Sequence, residues 1–302
     1  MDLKWLEDFI SLSQTRNFSR TAEERNITQS ALSRRIQSLE NWAGTRLIDR
    51  KSHPITLTPS GDCILKHAEE IVRRTHLAKA EVHARTRLKG EPIAFAMQYT
   101  IARSIFPKWL QAIEPLLEPF NVRIKADNLT SCLRDLIEGR VDFMFCYDSP
   151  HYKTIDIPKN LSFIRVSDSK SIPVCIPTDD GKPKYSLPGS VDRPLPFLSF
   201  GPEAPLGWQF EVLLAARGLT PYLETKYEAS ISECLREKVL EGEGVAWLPY
   251  PVVEDDIRLG RMVLAGDDTW VIEAEVLMYR TRGVGSAKVE SLWQVASKLP
   301  KL

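Results

Sequence analysis

Hydrophobic residues in the first forty positions recur at helical spacing, in short stretches separated by polar breaks. Such stripes are typical of amphipathic helices. The first stripe predicts a helix over residues 3–14 and consists of Trp5, Leu6, Phe9, Ile10 and Leu12. Ser19 or a neighbour can cap a second helix that includes "RTAEERN". After a break at Asn26-Ile27, the Thr28 hydroxyl is placed to cap a third helix over residues 28–40.

The third predicted helix has two unlike faces. One face carries Leu32, Ile36 and Leu39, and the other carries Gln29, Ser30, Ser33, Arg34 and Gln37. A merely solvated face is usually dominated by Glu and Lys, whereas Gln, Ser and Arg are the side chains that pair with base edges and phosphates. The pattern therefore favours the second helix of a DNA-binding helix-turn-helix. A solvated helical hairpin is the alternative.

A short basic hairpin is predicted next. The stretch "RLIDRKSHPITLTPSG" contains β-prone runs over residues 47–49 and 55–58. The turn between them contains Arg50, Lys51, His53 and Pro54. Two short strands around a basic turn form the wing of a winged helix-turn-helix.

From Pro59 to about Leu88 the pattern predicts one long helix, roughly 40 Å in length. Apolar residues recur at alternating intervals of four and three, which is typical of a coiled-coil seam. That seam contains Ile64, Ala68, Ile71, Thr75, Ala78, Val82 and Arg85, and it is imperfect at Thr75 and Arg85. A small head cannot cover so long a helix. We therefore expect it to pair with the same helix of another subunit, so that two recognition helices contact two half-sites.

The remaining residues alternate between strands and helices, which predicts open α/β sheets after a hinge at Gly90-Glu91-Pro92. Strands are predicted over residues 93–97, 122–126, 141–146, 161–166, 172–176, 195–200, 222–227, 245–248 and 271–279. Helices are predicted over residues 101–117, 131–138, 207–217, 231–241 and 284–299.

The balance of charged residues also changes near residue 90. The formal net charge is zero, yet residues 1–90 carry 16 Lys/Arg against 11 Asp/Glu, and the other 212 carry 24 against 29. A basic head on an acidic body suggests a polyanion-binding module joined to a second function. Five scattered cysteines without C-x-x-C spacing fit reduced thiols, and neither a signal peptide nor a membrane-length apolar run is present, so we expect a cytoplasmic protein with no membrane partner.

The chain contains little material for catalysis. The motifs G-x-S-x-G, H-E-x-x-H, the Walker loop and G-x-G-x-x-G are absent, and His151 is the one histidine beyond residue 83. We therefore expect no enzyme, catalytic residue, cofactor or metal. The alternatives are an α/β enzyme with a helical extension, or a solute-binding protein, which would leave the first ninety residues without a role.

The motifs of the first ninety residues resemble those of LysR-type transcriptional regulators. The resemblance is carried by "FSRTAEERNITQSALSRRIQSLE", "GTRLIDR" and "ITLTPSG". Ile48 departs from the family pattern, which usually has Phe there. The matching positions are Ala22, Thr28, Gln29, Ala31, Ser33, Ile36, Leu39, Glu40, Gly44, Leu47, Arg50, Leu57, Thr58 and Gly61.

The resemblance implies a winged helix-turn-helix over residues 1–58, a linker or dimerisation helix over 59–90 and an effector-binding domain over 91–302. It implies binding to a promoter inverted repeat, assembly of homodimers into a homotetramer, and contact with RNA polymerase. The implied DNA-binding residues are Ser19, Thr28, Gln29, Ser30, Ser33, Arg34, Arg35, Gln37, Arg50 and Lys51. Of these, Arg35, Arg50 and Lys51 are placed near phosphates.

The family's effector domain has two lobes of periplasmic-binding-protein type. Here lobe I would be residues 91–165 and 268–302, and lobe II residues 166–267. Ligands of open α/β sheets bind at strand carboxyl ends and helix N-termini, where an anion is favoured. The candidate residues for a small-molecule effector are Gln98, Tyr99, Thr100, Asn128, Thr130, Ser131, Ser199, Phe200, Gly201 and Ser230, the last as a helix cap. Each of these positions is also compatible with a plain helix cap.

An oxidant is the second candidate signal. Cys132 and Cys234 fall near the first turn of predicted helices, where the pKa of a thiol is lowered; a buried, inert thiol is the alternative. The segments "GVAWLPYPVVEDDIRLGRMVL" and "NFSRTAEERNITQSALSRRI" resemble the hypochlorite-responsive subgroup, which is associated with methionine oxidation. The corresponding segments "APLGWQF" and "SISECLR" carry Leu206 and Ile231 and contain no methionine.

Overall fold

The computed structural model describes residues 1–52, 54–86, 91–149, 157–158, 160–201, 210 and 214–301. The chain divides into two compact units, residues 1–82 and 83–302. The first unit contains three short helices, a two-stranded wing and the long helix. Their bounds are α1 (Leu3–Thr15), α2 (Phe18–Glu24), α3 (Gln29–Ala43), β1 (Ile48–Asp49), β2 (Thr56–Leu57) and α4 (Pro59–Thr86).

The caps of the short helices are set by local sequence. The Thr28 hydroxyl accepts a hydrogen bond from the Ala31 N–H at 3.2 Å, as predicted. Asn17, not Ser19, caps α2, because its Oδ1 accepts from the backbone N–H groups of Ser19 and Arg20 at 2.9 and 3.1 Å. Asn26 has a φ of 53°, and this left-handed residue turns the chain between α2 and α3.

The core of the first unit lies between α1, α3 and the wing. Leu6, Phe9, Leu12, Leu32, Ile36 and Leu39 are each no more than 1% exposed. The wing strands pair antiparallel, with Ile48 opposite Leu57. A Cβ on Gly61 would lie 2.2 Å from the Leu47 carbonyl oxygen, so only glycine lets α4 begin this close to the wing.

The second unit is built around a mixed sheet in the order β10-β6-β11-β5-β3-β4. Strand β9 pairs with β6, and β7 and β8 form a parallel pair that meets Val245 just before β9. The strands are β3 (Ile93–Met97), β4 (Val122–Ala126), β5 (Phe143–Asp148), β6 (Leu161–Cys175), β7 (Leu195–Phe200), β8 (Leu223–Ala229), β9 (Ala246–Pro249), β10 (Val263–Leu264) and β11 (Ile272–Thr281).

Helices cover the sheet in two groups. Two clusters lie in lobe I, one of them around Phe95 and Phe145, and two lie in lobe II, one of them around Leu198 and Leu248. Strand β6 crosses the expected boundary between the lobes at residues 165 and 166, and β11 packs with its Ile272 end in a lobe II cluster and with Met278 in a lobe I cluster. The helices are α5 (Tyr99–Ser104), α6 (Phe106–Ile113), α7 (Leu129–Ile137), α8 (Ser232–Leu240), α9 (Tyr250–Arg258) and α10 (Ala287–Ala296). None of the described helices has the length and apolar character needed to cross a bilayer.

Two sequence predictions about this unit were wrong, and two elements were missed. The strands predicted over 161–166 and 172–176 are one strand, β6, because the polar stretch between them pairs with β11. The helix predicted over 101–117 breaks at Ile105, since Pro107 lacks the N–H that a continuous helix would use. Helix α9 and strand β10 were not predicted. The helix predicted over 207–217 lies outside the described residues, apart from positions 210 and 214–217.

Candidate nucleic-acid interface and effector cleft

The polar face of α3 points away from the head's own core. Gln29, Ser30, Arg34 and Gln37 are exposed, and Ser33 is half-buried. Among the described residues, the Arg34 side chain has no hydrogen-bond or ion-pair partner. The Ser38 hydroxyl donates to the Arg34 backbone carbonyl, not to its side chain. The exposed hydroxyl of Ser19 lies 3.4 Å from Gln29 Oε1, so the two helix N-termini present their polar side chains together.

Glu40 fixes the wing to the end of α3. Its Oε1 accepts hydrogen bonds from the N–H groups of Leu47 and Ile48 at 2.9 and 3.2 Å. Its Oε2 accepts from Arg50 at 3.3 Å, and the Arg50 guanidinium stands over the Phe18 ring at 5.5 Å. Arg50 and Lys51 are exposed at the wing, and His53 lies outside the described residues.

Arg35 differs from its neighbour Arg34. Its guanidinium donates to Asp8 Oδ2 at 2.9 Å, and Arg25 donates to Oδ1 of the same carboxylate at 2.8 Å. The Asp8 side chain is fully buried, so these two cations balance a charge inside the head. The prediction that Arg35 serves phosphate binding was therefore incomplete, because its side chain already holds α3 to α1.

Glu7 extends this network to the long helix. It accepts from Arg25 Nη2 at 2.6 Å and lies 3.5 Å from His76 Nε2 on α4. The hydrogen bond with His76, and then that with Arg25, lower the pKa of Glu7 to about 2 against the opposing effect of burial. The fifth turn of α4 is thus held to the first three helices by a polar contact through His76.

The predicted seam of α4 divides into two parts. Ala68 is 1% exposed, so its assignment to a partner helix was wrong, while Ile64 is half-buried and packs partly against the same core. The physical reason is that the head covers the beginning of the helix. Further along, Ile71 and Val82 are 39% and 57% exposed, and Ala78 is exposed as well.

The candidate effector residues lie at strand ends, and one of them, Thr100, contacts the other lobe. Thr100 at the start of α5 lies 3.1 Å, oxygen to oxygen, from Ser232 at the start of α8. Gln98 Oε1 accepts from the Tyr147 N–H at 2.9 Å, and Tyr99 is 51% exposed. Sequence reasoning missed Ser232 and Tyr147, although Tyr147 is near the carboxyl end of a predicted strand.

The other candidates are engaged within their own lobe. Asn128 caps α7 by accepting from the Ser131 N–H at 2.8 Å, and Thr130 is exposed beside it. The Ser199 hydroxyl donates to the Phe200 carbonyl at 3.0 Å, while the Gly201 N–H donates to Ala229. Ser230 is exposed and does not cap α8, because the helix begins after Ile231 without a side-chain cap.

The two candidate thiols have opposite environments. Cys132 is fully buried, and burial, together with the nearby Asp127 and Asp135 charges, raises its pKa to about 12. The prediction of a lowered pKa was therefore wrong for Cys132, because desolvation outweighs the helix N-terminus. Cys234 and Cys63 are the exposed cysteines.

Comparison with known proteins covers both units. Residues 3–62 match the family described as bacterial regulatory helix-turn-helix protein, lysR family. Residues 87–299 match the LysR substrate binding domain. The transcriptional regulator YjiE of Escherichia coli K12 is 27% identical over 303 residues, spanning 99% of this chain and 95% of that protein.

Solved structures of regulators from the same family resemble this chain over almost its whole length. DarR of Vibrio fischeri, solved in complex with DNA, gives a TM-score of 0.58 at 27% identity and covers 99% of both chains. Full-length HypT of Salmonella typhimurium, described as a hypochlorite-specific LysR-type regulator, gives 0.58 at 26% identity and covers 98% of both chains. Relatives named as transcriptional regulators decide against the enzyme alternative. The chain belongs to the LysR family of DNA-binding transcriptional regulators with an effector-binding domain.

Proposed function

We propose that α3 is the recognition helix and that it contacts base edges of an inverted-repeat operator through Gln29, Ser30, Ser33, Arg34 and Gln37. The observation that carries this proposal is the outward face of α3, where the Arg34 side chain is exposed and makes no hydrogen bond to the described residues, while Leu32, Ile36 and Leu39 pack in the core. Ser19 and Thr28 lie at the N-termini of α2 and α3, which attract phosphates. Arg50 and Lys51 supply the charge of the wing.

The proposed assembly is a homodimer that forms a homotetramer, with α4 as the contact within each dimer. Support comes from the part of the seam that the head leaves uncovered, where Ile71 and Ala78 are exposed on one side of a long helix. Apolar side chains in a row on a helix favour a partner helix with the same pattern.

Two charged substitutions on this seam should separate the subunits. Ile71→Glu together with Ala78→Glu would bury carboxylates in the helix pair, and losing one apolar contact alone costs about 1.5–3 kcal/mol. Light scattering after size-exclusion chromatography measures the mass. Lys66→Glu, a charge change on the opposite side of α4, should leave the dimer unchanged. A dimer that persists in the double variant would contradict the assignment of the seam.

The proposed switch is an effector bound between the lobes, or an oxidant. Either would change the arrangement of the lobes, then that of the dimers, and so the bending of DNA and the contact with RNA polymerase. Membership of the hypochlorite-responsive subgroup is part of this proposal. HypT, which is described as hypochlorite-specific, supports it at 26% identity, and Cys234 is the exposed thiol in the effector domain.

The test is genome-wide capture of DNA with the purified protein, reduced and after mild hypochlorite treatment. We expect the enriched fragments to share an inverted repeat. A changed pattern on oxidation supports the oxidant, and an unchanged pattern favours a small-molecule effector. If no sequence is enriched in either state, the proposed operator binding is refuted.

Replacing Cys234 by serine should abolish the response to hypochlorite in this assay. Hypochlorous acid converts the thiol to a sulfenic acid and releases chloride and a proton, a reaction that a serine hydroxyl does not undergo. Cys63→Ser is the matched control, because Cys63 is also exposed but lies on α4. A response that survives Cys234→Ser would exclude this thiol as the sensor.

A further inference from the structure

Two neighbouring side chains at the start of α8 contact α5, which belongs to the other proposed lobe. The hydroxyl oxygens of Thr100 and Ser232 lie 3.1 Å apart. In the last turn of α5, the Arg103 guanidinium donates a hydrogen bond to Glu233 Oε1, also at 3.1 Å. The first turn of α8 is therefore joined to lobe I by one neutral and one charged contact.

The charged contacts between the lobes lie at the surface, whereas the hydroxyl pair is buried. The Arg103 and Glu233 side chains are 50% and 20% exposed. A second and longer ion pair joins Lys108 on α6 to Glu254 on α9 at 3.9 Å, and both of its side chains are exposed. Exposed ion pairs contribute little each and are screened by salt, so these contacts can open at a small cost.

Among the described residues, apolar packing does not reinforce these contacts. The core residues of α5 and α6 pack in the cluster around Phe95, and those of α8 and α9 pack in the cluster around Leu198. Tyr99 and Ile231, next in sequence to the hydroxyl pair, are 51% and 41% exposed. A polar interface separates more readily than an apolar core does, because its groups regain hydrogen bonds with water.

We propose that the three contacts, Thr100–Ser232, Arg103–Glu233 and Lys108–Glu254, form an autoinhibitory latch over the effector cleft. Thr100 is a candidate effector residue, yet its hydroxyl is already engaged by Ser232. A ligand must therefore compete with the latch to reach Thr100, and it binds when the lobes separate at α5 and α8. The inference rests on the effector cleft of the proposed function and adds the regulation of access to that site.

The test is hydrogen exchange of the first-turn amides of α5 and α8 in the full-length protein, measured by mass spectrometry. Neither helix has a side-chain N-cap, so protection of these amides depends on what lies against the helix ends. Arg103→Glu would repel Glu233 and should accelerate this exchange about three- to tenfold. Wild-type exchange should also rise in about 1 M salt, where charges are screened within roughly 3 Å.

A charge exchange tests whether the two side chains act on each other. Glu233→Arg alone should accelerate the exchange as Arg103→Glu does, and the double variant should recover most of the protection. Recovery is incomplete because each new charge lies at the unfavourable end of its helix dipole. Lys182→Glu is the matched control, since it reverses an exposed charge whose ion pair with Asp180 lies within one turn of lobe II; it should leave the exchange unchanged.

The proposal is overturned if Arg103→Glu leaves the exchange of both first turns unchanged, or if the effects of the two single variants simply add in the double variant. Faster exchange of the core strands β3 and β9 in Arg103→Glu would also overturn it, because a lobe would then be unfolding. Capture of an operator by the same protein preparation is scored separately, so a failure of the latch is distinguishable from a failure of the proposed DNA binding.

Discussion

Replacing Arg34 by alanine should lower affinity for the operator by roughly ten- to a hundredfold per half-site while leaving the fold intact. The guanidinium is exposed on α3 and makes no hydrogen bond to the described residues, so its loss would remove the proposed contact to DNA without removing a contact inside the first unit. A bidentate contact from arginine to guanine is the commonest specific contact in the major groove. Fluorescence anisotropy with the captured operator, and with an unrelated duplex, measures both the affinity and the specificity.

Two other arginines provide controls for this experiment. Arg74→Ala makes the same change of charge on α4, where the side chain is 74% exposed, and should change operator affinity little. Arg35→Ala should instead lower the stability of the head, because its partner Asp8 is buried. Operator affinity that is unchanged in Arg34→Ala would refute the assignment of α3 as the recognition helix.

Asp8→Ala should destabilise the first unit by about 3 kcal/mol, because it leaves Arg35 without its carboxylate and Arg25 with Glu7 alone. Asp8 is fully buried and accepts from both Arg25 and Arg35, which join α2 and α3 to α1. Hydrogen exchange of the α1 and α3 amides in the full chain measures the opening of this unit separately from the rest. We expect these amides to exchange faster, and operator binding to fall with the folded fraction.

Asp62→Asn is the control for this second experiment, since Asp62 is exposed in the first turn of α4. Removing it changes the charge of the head without touching the buried network, and the effect should stay below about 1 kcal/mol. Equal exchange rates in Asp8→Ala and Asp62→Asn would show that the Asp8 pairs contribute little to the fold.

The structure of the first unit could be predicted in detail, because the sequence patterns that determine its helices are local. Thr28 caps α3 three residues away, and the spacing of Leu32, Ile36 and Leu39 identifies the buried face within one helix. The partnership of Arg35 with Asp8 could not be predicted in the same way. It joins residues 27 positions apart, and nothing local distinguishes Arg35 from the exposed Arg34.

The same contrast separates the parts of the effector domain. Strands β3, β4 and β7 have the predicted bounds, because each is a short apolar or β-prone run between turn residues. The polar middle of β6 resembles a loop, and only its pairing with β11, about a hundred residues later, makes it a strand. The contact of Thr100 with Ser232 joins residues 132 positions apart, so no single motif in the sequence could indicate it.

The long pairing of β6 with β11 bears on how the lobes can move. The ladder runs from Ser171 opposite Ile272 to Leu161 opposite Thr281, with one irregularity between Val276 and Leu277. Two lobes joined only by flexible loops could rotate freely relative to each other. Here the two lobes share a hydrogen-bonded two-stranded ribbon, which resists twisting. In the proposed switch, a ligand that rotates one lobe would have to twist this ribbon.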